Sequence, residues 1–229
     1  MAYACLVAVC ILWGTTWVAS AWTVRQGVSA LQVAAIRQII AGVVLCSSLW
    51  FVLKDKLVLP SWRDTVLLAF LNFVCSNALS TWGVKFIPGG LGSIVGAAYP
   101  LWLVVLYTWF FDKKISMAIW LGMLMSFFGL VLVFFPSLQG ADVKGNFLFG
   151  FLLSVFSSIT WALGTIYTKR QADRQVNPYF SIGLQMLLSG SVLCVVLWMG
   201  GQFTPLTEIP AGVWGGIGYL TLFGSLIAF

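Results

Sequence analysis

The sequence predicts an all-α fold, a polytopic bundle of transmembrane helices, and two observations carry that prediction. Of 229 residues, 61% are hydrophobic and only 8% are charged, against roughly 45–50% and about 25% in an ordinary soluble domain. A water-soluble fold of this size would expose more apolar surface than it can hide, and a lipid solvent removes that difficulty. The apolar residues also fall into eight long runs, approximately 3–24, 30–53, 65–84, 90–111, 116–135, 147–168, 178–199 and 211–229. A hydrocarbon core about 30 Å thick takes roughly 20 helical residues to cross. Backbone in lipid must bond to itself, so runs of this length read as helices.

The first run, Tyr3 to Val24, is too long for a signal-peptide core and has neither a basic n-region nor an A-x-A site. It is expected to remain as a membrane helix. The second contains Arg37, the one charge within an apolar run rather than at its end. A cation in hydrocarbon is costly, so an intramembrane arginine is a site hypothesis by default. Two readings compete with substrate contact: snorkelling to the outer interface about two turns away, and service as a gate or packing partner. In the third run Asn72, Ser76 and Ser80 share a face at four-residue spacing, with Asn77 and Thr81 beside them. Such a stripe either joins helices or lines a wet cavity. The fourth run reads PGGLGSIVGAAYPLW and sets Gly92, Gly96 and Pro100 at i, i+4 and i+8. Its small face allows close helix approach, and Pro100 removes a backbone hydrogen bond near mid-membrane. Close packing with a kink and a hinge beside a substrate path are both open. The fifth run is a plain apolar span, the sixth carries Trp161, and the eighth carries Thr221 and Ser225.

What the composition lacks is equally telling. There is no histidine and there are only six acidic residues, so His-based acid/base chemistry and metal-dependent catalysis are nearly excluded. No enzyme activity, cofactor or metal is expected. The five cysteines lie inside apolar runs without metal-ligand spacing and read as packing residues. The net charge of +6 is spread in ones to threes between runs, with no basic stripe or interleaved aromatics for nucleic acid. Lipid and a small molecule are the expected partners, and a homodimer is an open possibility. Orientation explains the charges better. Loops after the even-numbered runs hold Lys54, Lys56, Arg63, Lys113, Lys114, Lys169, Arg170 and Arg174, and the others hold Arg25, Lys85 and Lys144. The excess places the first set, and the N-terminus, in the cytoplasm.

An internal repeat is the most informative feature. Shifted by 148 positions without a gap, Val28–Trp50 falls on Val176–Trp198 with seven of 23 residues identical, among them Gly42/Gly190, Cys46/Cys194 and Trp50/Trp198. The same shift sets Trp13 on Trp161, each well inside its run beside small residues, which suggests cavity walls. One unit holds five helices, so the second enters the membrane from the opposite side. That is the inverted repeat from which many transporters build a central site. On this reading residues 1–140 form the first unit and 141–229 the second, truncated within its third helix, with eight helices present of an expected ten.

Trp13-Gly14-Thr15-Thr16, Ala35-Ile36-Arg37, Ala97-Ala98-Tyr99-Pro100, Phe111-Asp112-Lys113-Lys114-Ile115 and the Gly122 to Leu132 stretch resemble the drug/metabolite transporter superfamily, specifically its EamA-like family. The family often has a Gly-Glu pair where this chain has Phe111-Asp112. The resemblance implies a ten-helix carrier, an exporter or facilitative carrier of small metabolites such as amino acids, in an inner or plasma membrane. It also implies a midplane cavity walled by the first, third and fourth helices and their mates. The candidate lining is then Trp13, Thr16, Asn72, Ser76, Asn77, Ser80, Tyr99, Trp161, Thr221 and Ser225. The small multidrug-resistance relatives use a glutamate in their first helix; no carboxylate lies deep in any run here, which favours facilitated transport or exchange. A non-transporting scaffold or regulatory subunit is the alternative.

Overall fold

The computed structural model describes residues 2–53, 58–111, 115–140, 146–171 and 176–227. Lys54, Asp55, Lys56, Asp112, Lys113, Lys114, Asp142, Lys144, Asp173, Arg174 and Phe229, and the side chain of Arg170, lie outside what is described. Among the described residues, eight helical rods stand where the eight apolar runs are. They are α1 (Ala2–Val24), α2 (Ala30–Leu53), α3 (Trp62–Gly83), α4 (Gly89–Phe111), α5 (Met117–Gly140), α6 (Asn146–Gln171), α7 (Pro178–Met199) and α8, which runs as Ala211–Thr221 and then a π-helical turn Leu222–Leu226. Among the described residues α2, α3, α4, α6 and α7 are each long and apolar enough to cross a membrane.

The ends of α7 show why the runs stop where they do. Asn177 caps the start, its side-chain oxygen accepting from the backbone N–H of Tyr179 and Phe180 at 3.0 and 3.1 Å, with Pro178 preset for the first turn. At the far end Gly201 takes φ +62° and the Gln202 N–H reaches back to the Leu197 carbonyl at 2.9 Å. That left-handed residue closes the last turn at no steric cost to a glycine.

Three rods depart from regular α geometry. In α3 residues Ala69–Ala78 are π-helical, and in α8 the turn Leu222–Leu226 is too. The rod α4 breaks at Ala98, between Gly89–Ala97 and Tyr99–Phe111. Pro100 cannot donate to the Gly96 carbonyl and crowds the turn before it, so the interruption appears two residues upstream of the proline.

Packing is closest between α2 and α7. A Cβ added to Gly42 would lie 2.7 Å from Leu187 Cγ and 2.8 Å from the Gly183 carbonyl; one added to Gly190 would lie 2.7 Å from Ile39 Cγ1 and 2.9 Å from the Ala35 carbonyl. These contacts are reciprocal under the 148-residue shift, since Gly42, Ala35 and Ile39 fall on Gly190, Gly183 and Leu187. Small residues at such a seam let backbones approach where lipid offers no hydrophobic drive. Buried polar bonds add to it: Ser189 Oγ donates to Gln38 Oε1 at 2.6 Å.

Around this pair, α1 packs on the first half of α4 and on α8, while α6 packs on α3 and on the second half of α4. One end of the bundle is closed by a buried apolar layer from α1, α2, α8 and the flanking turns: Ala21, Val24, Val28, Val33, Val84, Ile209, Val213 and Ile217. Just beyond it Gln32 grips the backbone of Thr204, donating to its carbonyl at 2.6 Å and accepting from its N–H at 2.9 Å. The helix α5 is peripheral, with Met125 75% and Phe128 64% exposed, a surface that lipid can solvate.

Candidate functional site

A cavity of about 360 Å³ lies among α1, α3, α4 and α6, with Gly224 of α8 at its edge. Trp13, Thr16, Ser76, Asn77, Ser80, Tyr99 and Trp161 line it, as do Arg37 and Gly96. Trp13 and Trp161 meet edge to face, ring centroids 6.4 Å apart at 90°, and Phe73 meets Trp161 in the same manner at 6.4 Å and 76°. Edge-to-face aromatic pairs of this kind are worth about 0.5–1.5 kcal/mol beyond their burial. Tyr99 Oη donates to Thr165 Oγ1 at 3.1 Å, which holds the ring on the α4–α6 side.

Asn72, Thr221 and Ser225 do not line the cavity. The four-residue stripe presumed an α-helix, but the i→i+5 turns of α3 delay its rotation. They send Asn72 to the α6–α7 side, where its amide donates to Gln185 Oε1 at 3.4 Å and packs on Gly164. In α8 the π turn presents Gly224 to the cavity and leaves Thr221 and Ser225 buried at 5% and 2% exposure.

Arg37 does not snorkel. It is 6% exposed, and its Nη2 donates to Asn77 Oδ1 across the α2–α3 boundary. Because α2 is covered on this face by α3 and α8, the side chain has no path to the interface. Gln38, one residue on, also donates to the Phe73 carbonyl at 3.3 Å.

The glycine row of α4 forms the seat of Trp17. A Cβ at Gly92 would stand 2.6 Å from Trp17 Cε3, and one at Gly96 2.6 Å from Cζ2. Pro100 is not in the cavity wall, but the break it produces leaves the Val95 carbonyl accepting from Ser158 Oγ at 3.2 Å, 63 residues away. Ser20, Ser93, Ser157 and Ser158 also line the cavity. The sequence places Ser93 only in a small-residue row of α4 with Gly89 and Ala97, and offers no sign of the other three beyond a hydroxyl inside an apolar run. The sequence reading passed over Asp64, which falls in the first turn of α3, is 7% exposed, and accepts from Tyr167 Oη at 2.7 Å outside the cavity.

No group of three or more His, Cys, Asp or Glu residues is placed to hold a metal among the described residues. Long apolar helices packed through glycine, an apolar exterior and a cavity that sets hydroxyls and one arginine in a mainly apolar wall mark an integral membrane protein.

The comparisons identify the family. The sequence profile of the EamA-like transporter family matches residues 1–135 and 148–229, and the chain belongs to that family. Its relatives include the "Uncharacterized transporter sll0355" of Synechocystis, 28% identical over 98% of this chain and 71% of the relative. The "Uncharacterized inner membrane transporter YedA" of Escherichia coli K12 is 28% identical over 99% of this chain and 71% of its own length. The "WAT1-related protein At3g02690, chloroplastic" of Arabidopsis thaliana is 27% identical over 83% of this chain and 46% of its own length. A solved structure described only as "Crystal structure of protein" superposes with a TM-score of 0.72 at 19% identity, over 97% of this chain and 74% of that one. That likeness concerns the fold alone.

Proposed function

We propose that this chain is a carrier of small metabolites, amino acids among them, that moves its substrate outward across an inner or plasma membrane by alternating access around the central cavity. The N-terminus is then cytoplasmic, which the excess of basic residues in the loops after the even-numbered runs supports. The observation that carries the reading is the cavity itself, walled by hydroxyls and indoles from α1, α3, α4 and α6. Its volume lies within the roughly 300–1,000 Å³ usual for small-molecule sites. The reciprocal contacts of Gly42 and Gly190 and the meeting of Trp13 with Trp161 support an inverted repeat with the cavity beside its axis. No carboxylate lines the cavity among the described residues, which supports a facilitative carrier or exchanger over a proton-driven one.

The test is efflux of a labelled amino-acid and metabolite panel from proteoliposomes. Release of particular compounds above empty liposomes is expected, with or without a pH gradient. Dependence on that gradient would sink the facilitative mechanism; no movement of any compound would favour the scaffold reading.

The break in α4 is read as a hinge. Pro100→Ala is therefore expected to rejoin the rod and stabilise the fold by about 1–3 kcal/mol, the helix-interior cost of proline being near 3, while slowing transport. A variant more stable and equally fast would refute the hinge.

A further inference from the structure

Among the described residues of the cavity wall, Arg37 is the only one that carries a full charge. Its single hydrogen-bond partner among the described residues is the neutral amide of Asn77, and its buried Nε–H has no acceptor. A Cβ added to Gly224 would lie 3.9 Å from Nη1, so the bare backbone of α8 leaves that edge of the guanidinium open. A buried cation is kept when something pairs with it, and among the described residues the wall supplies no anion.

We propose that the substrate supplies it: the cavity takes small organic monocarboxylates with an aromatic or bulky apolar body, the carboxylate seated on the Arg37 guanidinium. The inference rests on the carrier reading above and names its substrate class. The planar fork of an arginine matches a carboxylate with two parallel hydrogen bonds. One cation balances one negative charge, whereas a phosphate monoester dianion would leave a charge uncompensated among apolar neighbours. Asn77 fixes the fork from one side without neutralising it. The indoles of Trp13, Trp17 and Trp161 supply the apolar wall against which the body of the substrate packs. An α-ammonium group finds no carboxylate in the wall, so it is tolerated on the indole faces rather than required.

The experiment is calorimetric titration of the purified chain in detergent with three compounds of one shape: phenylacetate, phenylacetamide and phenethylamine. The carboxylate is expected to bind about tenfold or more tightly than the other two, the worth of one charge-assisted bidentate pair. Arg37→Lys is expected to weaken phenylacetate but keep the order. Asn77→Asp, which gives the guanidinium a resident counter-charge, is expected to remove the preference for the carboxylate while the protein stays monodisperse. Equal or tighter binding of the amide or the amine to the unaltered protein would overturn the proposal, as would absence of phenylacetate binding or unchanged phenylacetate affinity in Asn77→Asp. Failure of the two readings is separable. Carboxylate binding without movement in proteoliposomes removes the carrier and leaves the site; transport of neutral or cationic compounds without carboxylate binding removes the site and leaves the carrier.

Discussion

Gly42→Val and Gly190→Val are expected to cost about 1–3 kcal/mol of stability each, as overpacking of a closed interface does. Together they would consume a large share of the roughly 5–15 kcal/mol by which folded proteins are held. The reason is what each new side chain meets. At Gly42 the Gly183 carbonyl and the Leu187 nitrogen stand 2.8 and 2.9 Å from the added Cβ; at Gly190 the Ala35 carbonyl and the Ile39 nitrogen stand 2.9 and 3.1 Å away. Backbone cannot swing aside as a side-chain tip can, so the helices must part. Gly122 and Gly129 on α5 are the control, since nothing beyond the local helix backbone lies within 4 Å of a Cβ at either. Gly122→Ala and Gly129→Ala are expected to be neutral or to stabilise by about 0.5–1 kcal/mol, alanine being the better helix former. Thermal unfolding in detergent, followed by tryptophan fluorescence, reads both classes, and similar shifts for the two would defeat the argument.

The second large effect is expected at the seat of Trp17. Its indole lies across Gly92 and Gly96, with Cζ2 2.6 Å and Nε1 3.2 Å from a Cβ at Gly96. An indole is rigid, so Gly96→Val must push it off α4 and into the cavity that it lines. Transport should fall to a small fraction of its normal rate, with the loss concentrated in the site. Trp17→Leu should restore much of it in the Gly96→Val background, because removing the ring removes the clash. That non-additivity is the signature of two residues sharing one space. A double variant no better than Gly96→Val alone would mean that the glycine serves some other purpose.

The positions of the helices were legible because each obeys a rule of composition and length, and the observed rods coincide with the apolar runs to within a few residues at most of their ends. What escaped the reading has physical causes. The π segments Ala69–Ala78 and Leu222–Leu226 leave no pattern in residue type, so face assignments drawn at 3.6-residue spacing misplaced Asn72, Thr221 and Ser225. The break at Ala98 follows from Pro100, yet the sequence marks the proline and not the turn that yields to it. Arg37 was ambiguous for another reason: depth along a helix says nothing about direction around it, and snorkelling depends on which neighbour covers that face. Asp64 was passed over because α3 begins at Trp62, three residues before the apolar run. Trp13, set apart from the other tryptophans by its place opposite Trp161 in the repeat register, is the case where an aromatic could be distinguished from the many that meet lipid.

The apolar layer at the closed end has a consequence for leakage. It is made of aliphatic side chains from Ala21, Val24, Val33, Val84, Val213 and Ile217, each 4% exposed or less. These side chains meet through apolar groups, with the Gln32–Thr204 bonds as the polar fastening just beyond them, and they offer no hydrogen bond to a hydrated ion that reaches them. Its resistance is the work of wetting a dry constriction, the means by which hydrophobic pores shut without a plug. An ion approaching from the cavity side would have to shed its water with nothing in return, so this end is expected to insulate as well as to close.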